Sequence, residues 1–335
     1  MLSMRLRNCM HPLLMALLVT ATPVVAGLTA QDAATRIGDC PVFPANNIWN
    51  TPVADLPVDP LSDAYIKSIG AATTVHADFG SGLAAGAPIG IPYVIVPKDQ
   101  TKVDIVLKGY ADAPEPFVDE SDAGPAPIPA DAPIEGGRTG EGDRHVIVVQ
   151  QQSCTLFELY KAVANPDGSW NAVGSVRFDL ESNELRPDGW TSADGAGLPI
   201  FAGLVRYDEV ASGQIHHALR FTAPRTRNAH VWPARHAASA SDDLSLPPMG
   251  QRFRLKADVD LSGFSPENRV ILRALQTYGM VLADNGSPWF ISGAPDGRWN
   301  DDALQGELRR LRGVDFEAVD ISTLMASSDS GAVRK

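Results

Sequence analysis

The run that decides the architecture begins Thr155-Leu156-Phe157-Glu158-Leu159-Tyr160-Lys161. It turns at Asn165-Pro166-Asp167-Gly168 and continues at Ser175-Val176-Arg177-Phe178-Asp179-Leu180-Glu181. Side chains alternate across a strand, so Glu158 shares a face with Leu156 and Tyr160 while Phe157 and Leu159 take the other. In the third segment Val176, Phe178 and Leu180 make a core face, and Arg177, Asp179 and Glu181 lie opposite. The turn between them has a mechanism, since Pro presets φ while Asp and Gly tolerate the tight bend. Val103–Tyr110, His145–Gln150, His217–Thr222 and Arg252–Val259 repeat the pattern, and Asp284-Asn285-Gly286 reads as a second hairpin turn, between Met280–Ala283 and Trp289–Ile291.

Helices are fewer. Ser62–Ile69 ends at Gly70. Pro266–Tyr278 follows Ser265 as cap and carries the stripe Ile271, Leu272, Leu275 and Tyr278. Asp301–Arg312 follows Asn300 and stops at Gly313. Strands in a block with peripheral helices predict a β-rich α+β fold, an antiparallel sandwich or jelly-roll-like core.

The N-terminus reads as a secretory signal. Arg5 and Arg7 precede an apolar run Leu13–Val19, and Val24-Val25-Ala26 offers a small-residue cleavage site before Gly27. The run is too short to span a bilayer. Residues 27–335 then form one secreted domain, extracellular or periplasmic, without stable membrane anchoring. Cleavage leaves Cys40 and Cys154, which predict one disulfide in an oxidising compartment. Residues 111–144 carry six prolines and the acids Asp119, Glu120 and Asp122. They read as a long surface loop, walling a cleft, rather than an interdomain linker. The net charge of −12 argues against nucleic acid as partner.

No Gly-x-Ser-x-Gly elbow, Walker loop, dinucleotide fingerprint, His-Glu-x-x-His or EF-hand loop occurs in the chain. The chemistry-bearing residues concentrate between Trp190 and His236. Asp194 sits in a small-residue loop that presents a carboxylate, although a turn or cap Asp before Leu198 reads the same way. Asp208 and Glu209 fall in a short helix ended by Gly213, and as neighbours they face different sides. His217 points with Leu219 and Phe221, whereas His216 and Arg220 point away. Arg252, Arg254 and Lys256 share a face opposite Phe253 and Leu255. If these faces coincide, they make a polar groove; otherwise they are solvated sheet faces.

Three Pro-Asp-Gly turns are each followed closely by a tryptophan, at Trp170, Trp190 and Trp299. A tryptophan beside a tight turn either stacks on a sugar or folds back on the core. The run Gly189–Asp194 with Leu198-Pro199-Ile200, Gly203–Val210 and His217–Thr222, together with Asn46–Thr51 and Tyr278–Gly286, resembles a group of uncharacterised secreted bacterial proteins. The resemblance covers most of the mature chain, implies secretion and supplies no catalytic residues.

These residues lead to a secreted carbohydrate-active enzyme cleaving a polysaccharide or oligosaccharide by carboxylate acid–base chemistry. Asp194, Asp208, Glu209, His217 and Glu158 are the candidate catalytic residues; Trp190, Trp232, Arg220 and Tyr160 are the candidate substrate contacts. A lyase version has His217 or Tyr160 take a proton beside a uronate whose carboxylate Arg220 neutralises. Alternatives are a metal-dependent hydrolase holding zinc on His217, His230 and His236, or a non-catalytic glycan-binding surface protein. No cofactor is required; structural calcium at Asp119/Glu120/Asp122 or Asn300/Asp301/Asp302 is the further option.

Overall fold

The computed structural model describes residues 35–122 and 124–334, so the signal segment lies outside the described residues. Two sheets dominate. A four-stranded sheet runs in the order Gly174–Asp179, Thr155–Tyr160, Val146–Gln150, Tyr93–Val96. A six-stranded sheet runs Phe316–Val319, Arg252–Leu255, Met280–Asn285, Leu219–Ala223, Phe290–Ser292, His76–Asp78. The fold is a β-rich α+β sandwich-like arrangement, and its sheets are mixed. Leu219–Ala223 runs parallel to Met280–Asn285, Phe290–Ser292 parallel to His76–Asp78, and Tyr93–Val96 parallel to Val146–Gln150.

Each sheet has two unlike faces. In the six-stranded sheet the row Phe221, Ile291, Leu282 and the row Phe253, Met280, Leu219 are in register. They face the helices, because Trp289 stacks on Phe221 and Phe316 and donates its indole N–H to Gly70 O at 2.9 Å, at the end of α1, Ser62–Ile69. The other helices are α2, Tyr207–Ser212, α3, Pro266–Thr277, and α4, Asp301–Leu308. Ser265 caps α3 by accepting from Asn268 N–H, and Asn300 caps α4 through Ala303 N–H. This is side-chain satisfaction of free helix-end donors.

The opposite face of the same sheet carries Arg220 and Ser292 side by side, Arg252 across from Val281, Asp78 across from Ser292, and Asp284 across from Thr222. Arg220, Ser292 and Arg252 are buried on it, Asp284 is half-buried, and Asp78 at the sheet edge stays exposed. Leu156, Glu158, Ile147, Val149, Val176 and Phe178 share one face of the four-stranded sheet, in the large core that also contains the six-stranded sheet. Val146, Val148, Phe157 and Leu159 take the other face and form a second core with Ala126, Ile128, Ala132 and Ile134. From Ala126 to Ile134 the proline-rich stretch is therefore a packed cover, whereas Val118 earlier in it stays exposed. Cys40 and Cys154 form the expected disulfide, Cα atoms 5.2 Å apart, which ties the N-terminal segment to the four-stranded sheet. No helix among the described residues is long and apolar enough to cross a membrane.

One turn differs from the expectation. Asp284-Asn285-Gly286 does not join a hairpin, because Leu219–Ala223 inserts between Met280–Asn285 and Phe290–Ser292. Gly286 N–H instead donates to Ala223 O at 2.9 Å. A local turn signal cannot register a third strand arriving from about sixty residues earlier.

Candidate functional site

Between the two sheets, the polar face of the six-stranded sheet gathers a charged cluster around Arg220. Its guanidinium grips Asp194 through two bonds, Nη2 to Oδ1 at 2.8 Å and Nε to Oδ2 at 3.1 Å, and donates to Ser292 Oγ at 2.5 Å. Asp194 and Arg220 are both buried, at 1% and 4% exposure. A fork-to-fork pair of this kind is what allows two charges to leave water together. Burial still lifts Asp194 above the usual carboxylate range while Arg220 draws it back.

Asp284 comes next to this pair because Asp194 is followed by Gly195, whose N–H donates to Asp284 Oδ2 at 3.2 Å. A Cβ at Gly195 would stand 2.5 Å from Asp284 Oδ1, so only glycine permits the approach. Burial, and then the charge of Asp194, push Asp284 up to about 7, against Arg220. The environment therefore separates two aspartates, one locked as a carboxylate against a guanidinium and one holding a proton near neutrality.

The proline-rich segment supplies the other side. His145 N–H donates to Glu135 Oε2 at 3.3 Å, and the His145 ring lies 5.7 Å from that of Tyr160. His145 is buried and its Nδ1 has no partner. Burial lifts Glu135 despite the opposing charges of His145 and Arg220. Burial also pushes the Tyr160 phenol up to about 12, with Asp143 and Asp284 adding to it. Arg144 and Lys161, which flank these residues, both adopt positive φ, at 51° and 55°. Such non-glycine conformations persist where surrounding structure enforces them and gather at functional sites. Glu135, Tyr160 and Asp284 are half-buried, so the cluster has a buried floor and a side open to solvent.

The remaining expected residues have other surroundings. Glu158 is fully buried and accepts from Phe201 N–H at 2.8 Å and Ile200 N–H at 3.1 Å; burial raises it to about 7. Glu209 bonds Arg206 at 2.8 Å and His217 Nε2 at 3.2 Å. Burial opposes its charge, but Arg206 and His217 outweigh it and hold Glu209 down to about 2. The fully buried His217 donates Nδ1–H to Ala218 O at 2.8 Å. Asp208 faces solvent and pairs with Arg298 at 2.7 Å, so the helix turns Asp208 and Glu209 to different sides and brings neither to Arg220.

His230 bonds Asp188, His236 bonds Gly195 O at 2.9 Å, and no group of three or more His, Cys, Asp or Glu suited to a metal occurs among the described residues. Three of the acids weighed for calcium are engaged by the protein. Asp122 pairs with Arg186 at 2.7 Å, Glu120 accepts from Thr191 N–H, and Asp301 accepts from Ser81 N–H. Trp170 and Trp299 fold back into the core, the bland outcome of their turns. Trp190 stays half-buried with the Arg186 guanidinium 5.5 Å above its ring, and Trp232 is half-buried with its indole N–H on Ser330 O at 2.8 Å.

Asp284, Glu135 and Ser292 are the members that sequence reasoning did not single out. Asp284 carried only a turn signal, and Glu135 lay in the stretch read as a loop. In the sequence, the imidazole–carboxylate pairings His76-Ala77-Asp78 and Asp143-Arg144-His145 are the signal that could have found this site, since the charges of Asp78, Asp143 and His145 act on its members. Comparison of the chain with protein-family models, with curated proteins and with solved structures finds no match.

Proposed function

We propose that the protein is a secreted glycan-cleaving enzyme whose acid–base chemistry is centred on the cluster around Arg220, with Asp284 rather than Asp208 or Glu209 beside Asp194. The observation that carries this reading is the half-buried Asp284 carboxyl, protonated near neutral pH next to a buried aspartate–arginine pair. Asp284 gives its proton to the leaving glycosidic oxygen as the C–O bond breaks. Glu135, made more basic by burial, takes a proton from the attacking water, whose oxygen bonds to the sugar carbon. Asp194 is a positioning residue; it fixes Arg220 and keeps the proton on Asp284. The signal segment and the disulfide support an extracellular saccharide as the substrate class.

The test is release of new reducing ends from a panel of neutral and uronate-containing polysaccharides by the chain beginning at Gly27. Cleavage is expected with a pH–rate limb near 7, and Asp284→Asn is expected to lower it about a hundredfold or more. Asp208→Asn keeps it. Full cleavage by folded Asp284→Asn overturns the assignment. Binding without any cleavage makes the protein a glycan-binding surface protein instead.

A further inference from the structure

Val58 and Val319 form an isolated antiparallel bridge, flanked by Asp59 N–H on Ala318 O at 2.8 Å and Asp320 N–H on Pro57 O at 3.0 Å. Asp59 and Asp320 are therefore diagonal neighbours on one face of this pair, with Cβ atoms roughly 7 Å apart. Each uses one carboxylate oxygen to accept a following N–H, from Leu61 and from Ser322, both at 2.8 Å. The second oxygen of each is a spare acceptor. Neither forms an ion pair among the described residues, in contrast to Asp194, Asp208 and Asp296.

Both aspartates are half-buried and line a cavity of about 270 Å³ whose other walls include Trp232, Val231, Ile321 and Met325. The Trp232 indole N–H donates to Ser330 O at 2.8 Å, which fixes the ring as a flat apolar wall before any ligand arrives. Arg252 stands behind the cavity. It is 1% exposed and gives its guanidinium to Tyr278 O and Ile48 O, so the charges a ligand meets are the two carboxylates. They belong to no metal-binding group of three or more His, Cys, Asp or Glu among the described residues. An aromatic wall beside two unpaired carboxylates suits a ligand that is apolar on one face and carries a cationic N–H donor on its edge.

From this combination we infer that the Trp232 cavity is a binding subsite for a hexosamine unit with a free ammonium group. The apolar face of the sugar ring lies on Trp232, and the ammonium donates to the second oxygens of Asp59 and Asp320. A neutral or N-acetylated sugar leaves both carboxylates without a counter-charge, and a uronate brings a third like charge to them. The excess of 40 acidic over 28 basic residues in the chain attracts a polycationic glycan in the same sense. The inference deepens the glycan reading and rests on it for the choice of a sugar over a simple amine. The cavity is an anchoring point separate from the catalytic cluster, because fully buried Val281 lies between Arg252 and Arg220.

Binding is measured apart from turnover by titrating D-glucosamine, N-acetyl-D-glucosamine, D-glucose and n-butylamine at pH 6 and constant ionic strength, and following the indole N–H resonance of Trp232 by NMR. Glucosamine is expected to bind at least about tenfold more tightly than each of the other three. Asparagine keeps the oxygen that accepts the following N–H, so Asp59→Asn with Asp320→Asn removes the charges and leaves both turns capped. This pair is expected to bring glucosamine down to the level of glucose. Met325→Trp fills the cavity from its wall and is expected to weaken glucosamine about tenfold or more, which decides the matter should the double variant fail to fold. Equal binding of glucose or N-acetylglucosamine, equal binding of n-butylamine, or an undiminished preference in the folded double variant overturns the subsite. A chain that releases no reducing ends yet prefers glucosamine keeps the subsite and loses the catalytic assignment, whereas cleavage without that preference loses the subsite alone.

Discussion

Arg220 stands between Asp194 and Asp284, and Arg298 stands between Asp208 and Asp296. The side chains are the same; the surroundings are opposite. Arg298 lies at the surface over the Tyr207 ring, 4.4 Å from its centre, and holds Asp296 below the usual carboxylate range. Arg220 lies between two sheets, where the cost of removing charge from water exceeds what one guanidinium returns to two carboxylates, and Asp284 rises to about 7. Burial, together with the charge of a neighbouring carboxylate that already holds the arginine, decides whether an aspartate near an arginine is a spectator anion or a proton donor.

The largest break in this comparison comes from deleting each arginine. Arg220→Met strands the Asp194 carboxylate at 1% exposure, and loss of one partner of a buried pair costs about 3–5 kcal/mol. The urea midpoint is expected to collapse accordingly. Arg298→Met removes a solvated pair and is expected to leave that midpoint in place, in low salt and in high. Equal effects of the two substitutions would refute the contrast.

Acid and base sharpen it further. An unfolded aspartate titrates near 3.9, whereas Asp284 keeps its proton to about 7. Between these values the native state binds the extra proton, so stability falls as pH rises from about 4 to about 7. Glu158, also at about 7, adds in the same direction. Glu209, held at about 2, acts oppositely: its contribution is present above about 4.3 and is lost as pH falls toward 2. Asp284→Asn is therefore expected to flatten the decline of the urea midpoint between pH 4.5 and 7.5, and Asp296→Asn to leave that decline as it is. An unchanged slope in Asp284→Asn places its proton elsewhere.

Local chemistry made much of this fold legible. Ser62–Ile69 was readable to the residue and α3 to within one, because Ser265, Pro266 and Gly70 act within a turn of the helix they bound. The faces of Thr155–Tyr160 and Gly174–Asp179 follow from alternation alone, and Cys40 and Cys154 form the pairing the sequence led to. The site was legible in half. Alternation put Arg220 and Arg252 opposite the apolar row, but whether that face meets water depends on the sheet and loops folded over it, which no local pattern encodes. Asp284 was hidden for the same reason. Its neighbours in sequence spell a turn, while its neighbour in space, Gly195, is 89 residues away.

Glycine gives the finest form of the comparison, since each grouping has one. Gly195 has no room for a side chain, because a Cβ there meets Asp284 Oδ1 at 2.5 Å and Ala238 Cβ at 3.3 Å. Gly195→Ala must push the Asp284 carboxyl from the Gly195 N–H it accepts, and overpacking with loss of that bond costs about 1–3 kcal/mol. Gly297, between Asp296 and Arg298, has nothing within 4 Å of the same added atom and no left-handed φ. Gly297→Ala thus removes freedom only from the unfolded chain and is expected to stabilise by about 0.4–1 kcal/mol. Opposite signs in the two urea midpoints are the expected result. A neutral Gly195→Ala with Asp284 still titrating near 7 by carboxyl NMR would show that the close approach of this loop is not what sets the proton's place.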